Sequence, residues 1–273
     1  MALSIATNTS AATAHRYLKT NDMEASRSLA KLSSGSRIVR ASDDAASLAV
    51  GTKLKADVNA LRQAQVDASH GASVLQVADG ALQQVSDILI RMKALSTQAV
   101  SGSLSDTERG YLDGEFTQLE AQLDDIATQT KFNGSPLLDG TYATSFAVGT
   151  DATNDVITVG IGLDVTAATL VTANSVDTLA NAQAAATDID TAIDSVLSTR
   201  STLGAQMSRF DFVSANLATS VENIDAARST LMDVDVAAEM ANYSSKQVVM
   251  QASVAMLAQA NQMPQNLLRL LQN

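Results

Sequence analysis

The stretch IDTAIDSVLSTRSTLGAQMSRFDFVSANLATSVENIDAARSTL, residues 189–231, carries an apolar side chain at every seventh position along its 43 residues. The series is Ile189, Val196, Leu203, Phe210, Leu217, Ile224 and Leu231, here called the C-terminal seam. An α-helix with a strict seven-residue apolar period keeps one stripe of side chains against a partner helix. At a rise of about 1.5 Å per residue this stripe is roughly 63 Å long. The pattern therefore predicts a long structural helix and not an active site.

A second heptad series in the first half of the chain is the natural partner of this helix. Its members are Leu54, Leu61, Ala68, Leu75, Leu82 and Leu89, here called the N-terminal seam. Apolar or small residues follow five of them at a distance of three, from Ala64 to Met92, and complete an a/d pattern. Gly71 belongs to this pattern and costs about 1 kcal/mol of helix propensity relative to alanine, so we expect a packing reason for it. We expect the two seams to pack together within one chain.

A third periodic segment predicts a return helix. Its apolar residues alternate four and three apart between Leu112 and Ile126. Ser105 and Glu108 form a capping box, in which each residue satisfies an amide of the other. The helix should therefore begin near Asp106, and with the two long helices it makes a bundle-type core.

The middle of the chain predicts a small β-hairpin. Ile157, Val159 and Ile161 alternate with polar or small residues, and Phe146 and Val148 precede them. We therefore expect a mainly α fold: a long, coiled-coil-like helical bundle formed by the N- and C-terminal halves, with this hairpin as an excursion. The predicted organisation is a terminal-helix domain of residues 1–42 with 236–273, a helical rod domain of 43–140 with 176–235, and a hairpin segment of 141–175.

Composition excludes several classes of function. A net charge of -11 and a pI of about 4.5 argue against nucleic acid and anionic membrane surfaces as partners, because both require clustered lysine and arginine. The chain has no cysteine, and neither His15 nor His70 stands in a metal-ligand pattern. No glycine-rich phosphate loop and no serine with a histidine base is present. We expect no catalytic residue, no cofactor and no metal site.

The two ends of the chain are the parts least able to bury themselves. The first 35 residues carry only the sparse seam Ala11, Leu18, Ala25 and Leu32. Near the other end no charge occurs between Lys246 and Arg269. Many side-chain amides there argue against membrane insertion, yet apolar residues cover nearly the whole circumference of a helix. We expect both terminal helices to need other copies of the chain around them.

Both ends also resemble one known family. Residues 32–38 read LSSGSRI and residues 43–46 read DDAA; residues 257–262 read LAQANQ, followed by PQ at 264–265 and LL at 267–268 and 270–271. These motifs resemble the N- and C-terminal signatures of bacterial flagellin. Between them FNG at 132–134, LGA at 203–205 and EN at 222–223 occur in the order that the family shows.

The resemblance implies a non-enzymatic structural subunit of the bacterial flagellar filament, in a minimal form without large outer domains. Such a subunit is extracellular, is exported without a cleavable signal peptide, and assembles into a helical homo-oligomer for swimming. The implied partners are a flagellar export chaperone, the filament cap and the hook-filament junction proteins. Self-assembly is assigned to the terminal helices, through Leu18, Leu32, Arg37, Asp43, Met250, Leu257, Gln259, Asn261, Leu267, Leu268 and Leu271. The alternative is a hook-filament junction protein of the same superfamily.

One stretch departs from the family pattern. Many flagellins carry a Gln-Arg-x-Arg-Glu-Leu-like patch that a vertebrate innate receptor recognises, and here the matching stretch, IRMKAL, begins at Ile90. Arg91 and Leu95 fit, whereas Ile90 and Ala94 lack polar side chains and Lys93 cannot make the bidentate contact of an arginine. We predict weak recognition by this receptor. Strong activation of receptor-bearing cells by the purified monomer would contradict this prediction.

Overall fold

The structure is a computed structural model that describes residues 7–151, 153–172 and 175–271, with side chains described as far as residue 263. Its helices are α1 (Thr9–Ser34), α2 (Ala45–Ala99), α3 (Asp106–Gln129), α4 (Ala167–Leu170), α5 (Leu179–Met232) and α6 (Val236–Leu271). Two antiparallel strand pairs complete it: β1 (Lys131–Phe132) with β2 (Ser135–Pro136), and β3 (Tyr142–Ala147) with β4 (Val156–Ile161). The predicted fold class, mainly α with one small hairpin excursion, is confirmed.

The contacts of the chain separate it into two units. Unit 1 comprises Met1–Ala56 with Asn223–Asn273, and unit 2 comprises Asp57–Glu222. Unit 1 contains α1, α6, the beginning of α2 and the end of α5, whereas unit 2 contains the rest of the two long helices, α3, α4 and the strands. The three-part domain division expected from the sequence stays a prediction.

In unit 2, α2 and α5 run antiparallel with their seams facing each other. The ring of Phe210 lies against Gly71, and farther along α2 the Arg200 Nε donates a hydrogen bond of 2.8 Å to Asp79 Oδ1. Residues later in α2 therefore contact residues earlier in α5, as expected for antiparallel helices. The seam residues of unit 2 are all buried: Leu61, Ala68, Leu75, Leu82, Leu89, Ile189, Val196, Leu203, Phe210 and Leu217. The seam residues of unit 1, Leu54, Ile224 and Leu231, are half-buried.

Phe210 explains why a glycine stands inside the long helix α2. A β-carbon added at Gly71 would lie 2.6 Å from the Phe210 Cζ, well inside van der Waals contact. Phe146 of β3 meets the same ring edge-on, with the ring centroids 5.8 Å apart and the planes at 86°. The packing reason expected for Gly71 is thus the room that it leaves for an aromatic side chain, which also fastens the hairpin to α5.

The turn between α2 and α3 is closed by a buried arginine. The capping box forms as predicted and α3 begins at Asp106. Arg109 in its first turn is 6% exposed, and its guanidinium donates to the carbonyl oxygens of Ala99 at 2.8 Å and Ser101 at 3.1 Å. Ala99 is the last residue of α2 and Ser101 follows it, so neither carbonyl has a partner within the helix, and the buried charge donates to both.

The predicted hairpin is confirmed and adds to the same core. Strands β3 and β4 pair with Phe146 opposite Ile157 and with Tyr142 opposite Ile161. Ile157, Val159 and Ile161 are buried while the residues between them are exposed, as expected for a strand with one covered face. The buried side chains of β4 belong to the cluster that contains the seam residues of unit 2.

An acidic edge of α3 holds the segment that follows the hairpin. The Asp124 Oδ1 accepts a hydrogen bond of 2.8 Å from the Ala167 amide, and the Asp113 Oδ1 accepts one of 2.7 Å from the Val176 amide. Glu120 lies between these two aspartates along the helix, and its Oε1 is buried with no hydrogen-bond partner among the described residues. Carboxylates of α3 therefore hold the segment on both sides of Glu120.

Glu120 has a strongly shifted pKa. Burial, and then the charges of Asp113 and Asp124, raise the pKa of Glu120 from 4.5 to about 7. No lysine, arginine or histidine occurs between residues 132 and 199, so the segment that crosses α3 supplies no counter-charge. The protonated form is consequently the one that suits the fold.

Alanine at position 71 should destabilise the protein. Gly71→Ala gains about 1 kcal/mol of helix propensity but forces the Phe210 ring to move at a cost of about 1–3 kcal/mol, so we expect a net loss of up to about 2 kcal/mol in the free energy of unfolding. Urea denaturation followed by far-UV circular dichroism measures it. Gly80→Ala on the same helix is the control, because a β-carbon there meets nothing within 4 Å, and it should stabilise the protein by up to about 1 kcal/mol. Equal effects of the two substitutions would contradict the packing role of Gly71.

Removal of the Glu120 charge should change how stability depends on pH. Because the pKa of Glu120 rises on folding, its stabilising contribution is full below the unfolded value of 4.5 and is lost as the pH rises through about 7. Glu120→Gln keeps the side chain neutral, so the variant should be more stable than the parent at about pH 8 and this advantage should disappear near pH 5. Thermal unfolding midpoints at both pH values measure the difference.

Asp125→Asn is the matched control for this experiment. Asp125 is an exposed carboxylate on the same helix, and the substitution changes the net charge by the same amount. Its effect on the unfolding midpoint should be the same at both pH values. An equal pH dependence in the two variants would show that net charge, and not the buried position of Glu120, is responsible.

Candidate assembly surface on the terminal helices

Backbone and side-chain hydrogen bonds join the end of α1 to the end of α5 within unit 1. Gly35 ends α1 in the left-handed conformation, with φ at 67°. The Arg37 amide donates a hydrogen bond of 2.6 Å to the carbonyl of Met232, and its guanidinium donates one of 2.8 Å to the carbonyl of Leu231. The Val234 amide donates back to the Gly35 carbonyl at 3.1 Å. Arg37 thus satisfies the last carbonyls of α5, where a positive charge is also favoured by the helix dipole.

The two neighbouring aspartates shape the connection between α1 and α2. The Asp44 Oδ1 accepts a hydrogen bond of 3.0 Å from the Ser47 amide at the start of α2. The pKa of Asp44 is lowered first by a hydrogen bond from the Ser47 side chain and then by this amide. The Asp43 Oδ2 accepts from the amides of Arg40 and Val39, and the Arg40 bond is the main reason that the pKa of Asp43 is lowered. Among the described residues, no group of three or more acidic, histidine or cysteine side chains is arranged to hold a metal ion.

Helices α1 and α6 pack side by side in antiparallel directions. The Asn8 Nδ2 donates a hydrogen bond of 2.8 Å to the carbonyl of Ala260, and the Lys246 Nζ lies 2.5 Å from the Glu24 Oε2. The hydrogen bond from Lys246 lowers the pKa of Glu24. The beginning of α1 therefore faces the later part of α6, and both belong to unit 1.

The face that these two helices share is narrow. Its buried and half-buried positions repeat three and four apart: Ala11, Ala14, Leu18, Asn21, Ala25, Ser28 and Leu32 on α1, and Tyr243, Lys246, Met250, Ser253, Leu257 and Ala260 on α6. Most of these side chains are small or polar, so the pair covers little apolar surface. Only Ala25 and Ser28 of α1 are buried, and no described side chain of α6 is.

Large apolar side chains are exposed on the outer faces of the same pair. Tyr17 of α1 and Val248, Val249 and Met256 of α6 line one groove of about 750 Å³, and Val248 and Met256 are 65% and 64% exposed. A second groove on the other side of the pair includes Val254, which is also exposed. An isolated soluble helix pair is not expected to present such surfaces, and contiguous apolar patches of this kind mark interaction sites.

The structure separates the residues predicted for self-assembly into three groups. Leu18, Leu32, Met250 and Leu257 are half-buried on the face shared by α1 and α6, whereas Gln259 and Asn261 are exposed on α6 and Arg37 and Asp43 lie in the connections described above. The side chains of Leu267, Leu268 and Leu271 lie outside the described residues. Sequence reasoning did not assign the exposed set, Tyr17, Val248, Val249, Val254 and Met256, to this site. The sequence does contain a signal for this exposed set: apolar residues cover nearly the whole circumference of α6, and such a pattern indicates a helix that is covered on every side.

Residues of the receptor-like stretch of α2 form ion pairs and core contacts within their own chain. The Arg91 Nη2 lies 2.6 Å from the Glu115 Oε1 of α3, and Lys93 forms an ion pair with Asp190 of α5. Leu95 is 1% exposed and belongs to the core. The surface available at this stretch therefore consists of the two paired cations together with the exposed Ile90 and Ala94, and Leu95 is not part of it.

Two family models match the chain. Residues 5–143 match the bacterial flagellin N-terminal helical region, and residues 186–271 match the bacterial flagellin C-terminal helical region. The flagellar filament 33 kDa core protein of Treponema phagedenis is 35% identical over 280 residues, which cover 97% of this chain and 98% of that protein. A flagellin of Halalkalibacterium halodurans is 38% identical over 267 residues, with the same two coverages of 97% and 98%.

Solved structures agree with these matches. The crystal structure of Bacillus cereus flagellin aligns with a TM-score of 0.50 and 32% identity, over 60% of this chain and 94% of that one. A putative flagellar hook-associated protein from Vibrio parahaemolyticus aligns with a TM-score of 0.55 but 17% identity, and so shares the fold alone. Among the described residues, no helix has the length and apolar character that a membrane crossing requires.

Proposed function

The chain belongs to the bacterial flagellin family and is a structural subunit of the flagellar filament, and on this premise we propose that the outer faces of α1 and α6 are the surfaces through which subunits join. Polymerisation and a place in the extracellular flagellum follow from membership of the family. The relatives that match nearly the whole chain are flagellins or filament core proteins, which favours the filament over the hook-filament junction.

The proposal is carried by one observation, the exposure of Tyr17, Val248 and Met256 around a single groove. Full burial of an apolar side chain of this size contributes about 1.5–3 kcal/mol. Association of two proteins costs roughly 4–15 kcal/mol in lost freedom, so several such anchors per contact are required and the terminal pair offers them. A polymer in which each subunit is surrounded by others uses both grooves at once.

The charge distribution of α6 supports the same surface. No charged residue occurs from 247 to 268, so the middle of α6 can be surrounded by protein without burying an unpaired charge. Its neighbour Lys246 is already paired with Glu24 of α1. The terminal pair therefore suits burial among other copies of itself, whereas the chain as a whole keeps the net charge of -11 that favours solubility of the free subunit.

The remaining roles follow from the family and are part of the proposal. Residues 1–42 with 236–273 form the inner tube of the filament, residues 43–140 with 176–235 form the surrounding shell, and residues 141–175 lie at its outer surface. The subunit is exported through the flagellar apparatus with the help of a chaperone, meets the filament cap and the junction proteins during growth, and has no enzymatic activity. Recognition of the stretch from Ile90 to Leu95 by the innate receptor is weak.

Polar substitution in the groove should block assembly without unfolding the subunit. Tyr17→Ser with Val248→Ser removes two anchors, and because both side chains are exposed in the monomer its far-UV circular dichroism should not change. The critical concentration for seeded polymerisation should rise by at least about tenfold. Sedimentation of the polymer at a series of subunit concentrations measures it.

Tyr111→Ser with Val77→Ser is the matched control. Both residues are exposed, are of the same two types, and belong to unit 2. This control variant should polymerise nearly as well as the parent. Normal polymerisation of the groove variant, or equal impairment of both variants, would show that the terminal pair is not the main assembly surface.

A further inference from the structure

We propose that Met256 and Met263 of α6 are a modification site, at which oxidation of the thioether decides whether a subunit can join the filament. The two residues are 64% and 59% exposed and stand seven positions apart, so they lie on one face of the helix. Val249, one further heptad earlier, is exposed on the same face. This inference rests on the assembly surface proposed above.

Met256 and Met263 differ in exposure from the methionines that are packed inside the protein. Met92 is 0% exposed in the cluster of unit 2, Met207 packs against that cluster, and the side chain of Met232 covers Gly51. Oxidants in solution reach a thioether according to its exposure. Met256 and Met263 are therefore open to oxidation in the free subunit, and no covering side chain has to move.

The reaction is an oxygen-atom transfer from a peroxide. A lone pair of the thioether sulfur attacks one oxygen of hydrogen peroxide, the O–O bond breaks, and the second oxygen leaves as water after proton transfer. Sulfur loses two electrons and becomes a sulfoxide, while the peroxide is reduced by two electrons. An apolar, flexible side chain is thus converted into a polar one.

The sulfoxide is unsuited to the surface on which it forms. On α6 the groove beside Met256 is lined by Val248, Val249 and Ala252, which offer no hydrogen-bond donor, and by Ser253, whose hydroxyl already donates to the carbonyl of Val249 at 2.8 Å. The α1 side of the groove carries the polar side chains of Thr9, Ser10, Thr13, Tyr17 and Asn21. A sulfoxide oxygen loses its water on assembly and has no donor on the α6 side from which it projects, so an oxidised subunit should add to the filament poorly. Leucine has nearly the volume of methionine and is resistant to this oxidation. A Met→Leu substitution therefore keeps the packing while it removes the oxidisable sulfur.

The test compares oxidised monomers in seeded polymerisation. The parent is treated with hydrogen peroxide, its sulfoxides are located by peptide mass spectrometry, and we expect the critical concentration to rise at least about tenfold and to recover after treatment with methionine sulfoxide reductases. Met256→Leu with Met263→Leu should assemble normally after the same treatment. Met23→Leu with Met240→Leu removes two other exposed methionines, both 48% exposed, and should stay as sensitive as the parent.

Two outcomes overturn the inference and one separates it from the proposed function. Normal assembly of the parent oxidised at both sites, or undiminished sensitivity of the Met256→Leu, Met263→Leu variant, shows that these sulfurs do not control assembly.

A partly oxidised parent gives a reading without substitution: the sedimented polymer should be depleted of sulfoxide at Met256 and Met263 relative to the supernatant. Oxidation of intact filaments is the separate control, because protection of both residues there supports the assembly surface even if oxidised monomers assemble, whereas full reactivity in filaments refutes that surface.

Discussion

The contact between the ring of Phe210 and the bare backbone of Gly71 sets the spacing on which the packing of unit 2 depends. A ring at this position separates two long helices unless one of them leaves room, and Gly71 leaves it. The same ring meets Phe146, so the distance between α2 and α5 and the position of the hairpin are fixed by one side chain. Interiors are packed at crystal-like density, and the buried leucines on either side of Phe210 keep their contacts only if this spacing holds.

Heptad periodicity has a different outcome in the two units because the residues at the repeating positions differ in size. In unit 2 the repeat places leucine, isoleucine and phenylalanine between α2 and α5, and they are buried within one chain. In the terminal pair the repeat places mostly small or polar side chains between α1 and α6, with a few larger ones such as Leu18 and Leu257, and Tyr17, Val248 and Met256 remain in solvent. Weakly buried helices gain most of their stability from tertiary packing, and under the proposed function other subunits supply that packing here.

Local sequence signals predicted much of this structure. The capping box at Ser105 and Glu108 and the alternation of Ile157, Val159 and Ile161 each involve neighbours in sequence, so they fixed the start of α3 and the covered face of β4. Periodicity also identified a stripe on each terminal helix. It does not tell which of several apolar faces meets the partner helix of the same chain, and Leu18 and Leu257 therefore fell on the intrachain face while the exposed set was missed. The Arg37 bond to Leu231 joins residues far apart in sequence, and no local pattern signals it.

The absence of basic residues between 132 and 199 acquires a physical meaning once α3 is in place. The carboxylates of Asp113 and Asp124 accept hydrogen bonds from backbone amides of the segment after the hairpin, on either side of Glu120 along α3. A lysine in that segment would pair with Glu120 and lower its pKa, but none is present, and burial next to two negative charges leaves protonation as the way to remove the repulsion. A stretch that looks in the sequence like a merely acidic, solvated surface thus leaves a neighbouring carboxyl group, Glu120 of α3, to titrate close to neutral pH.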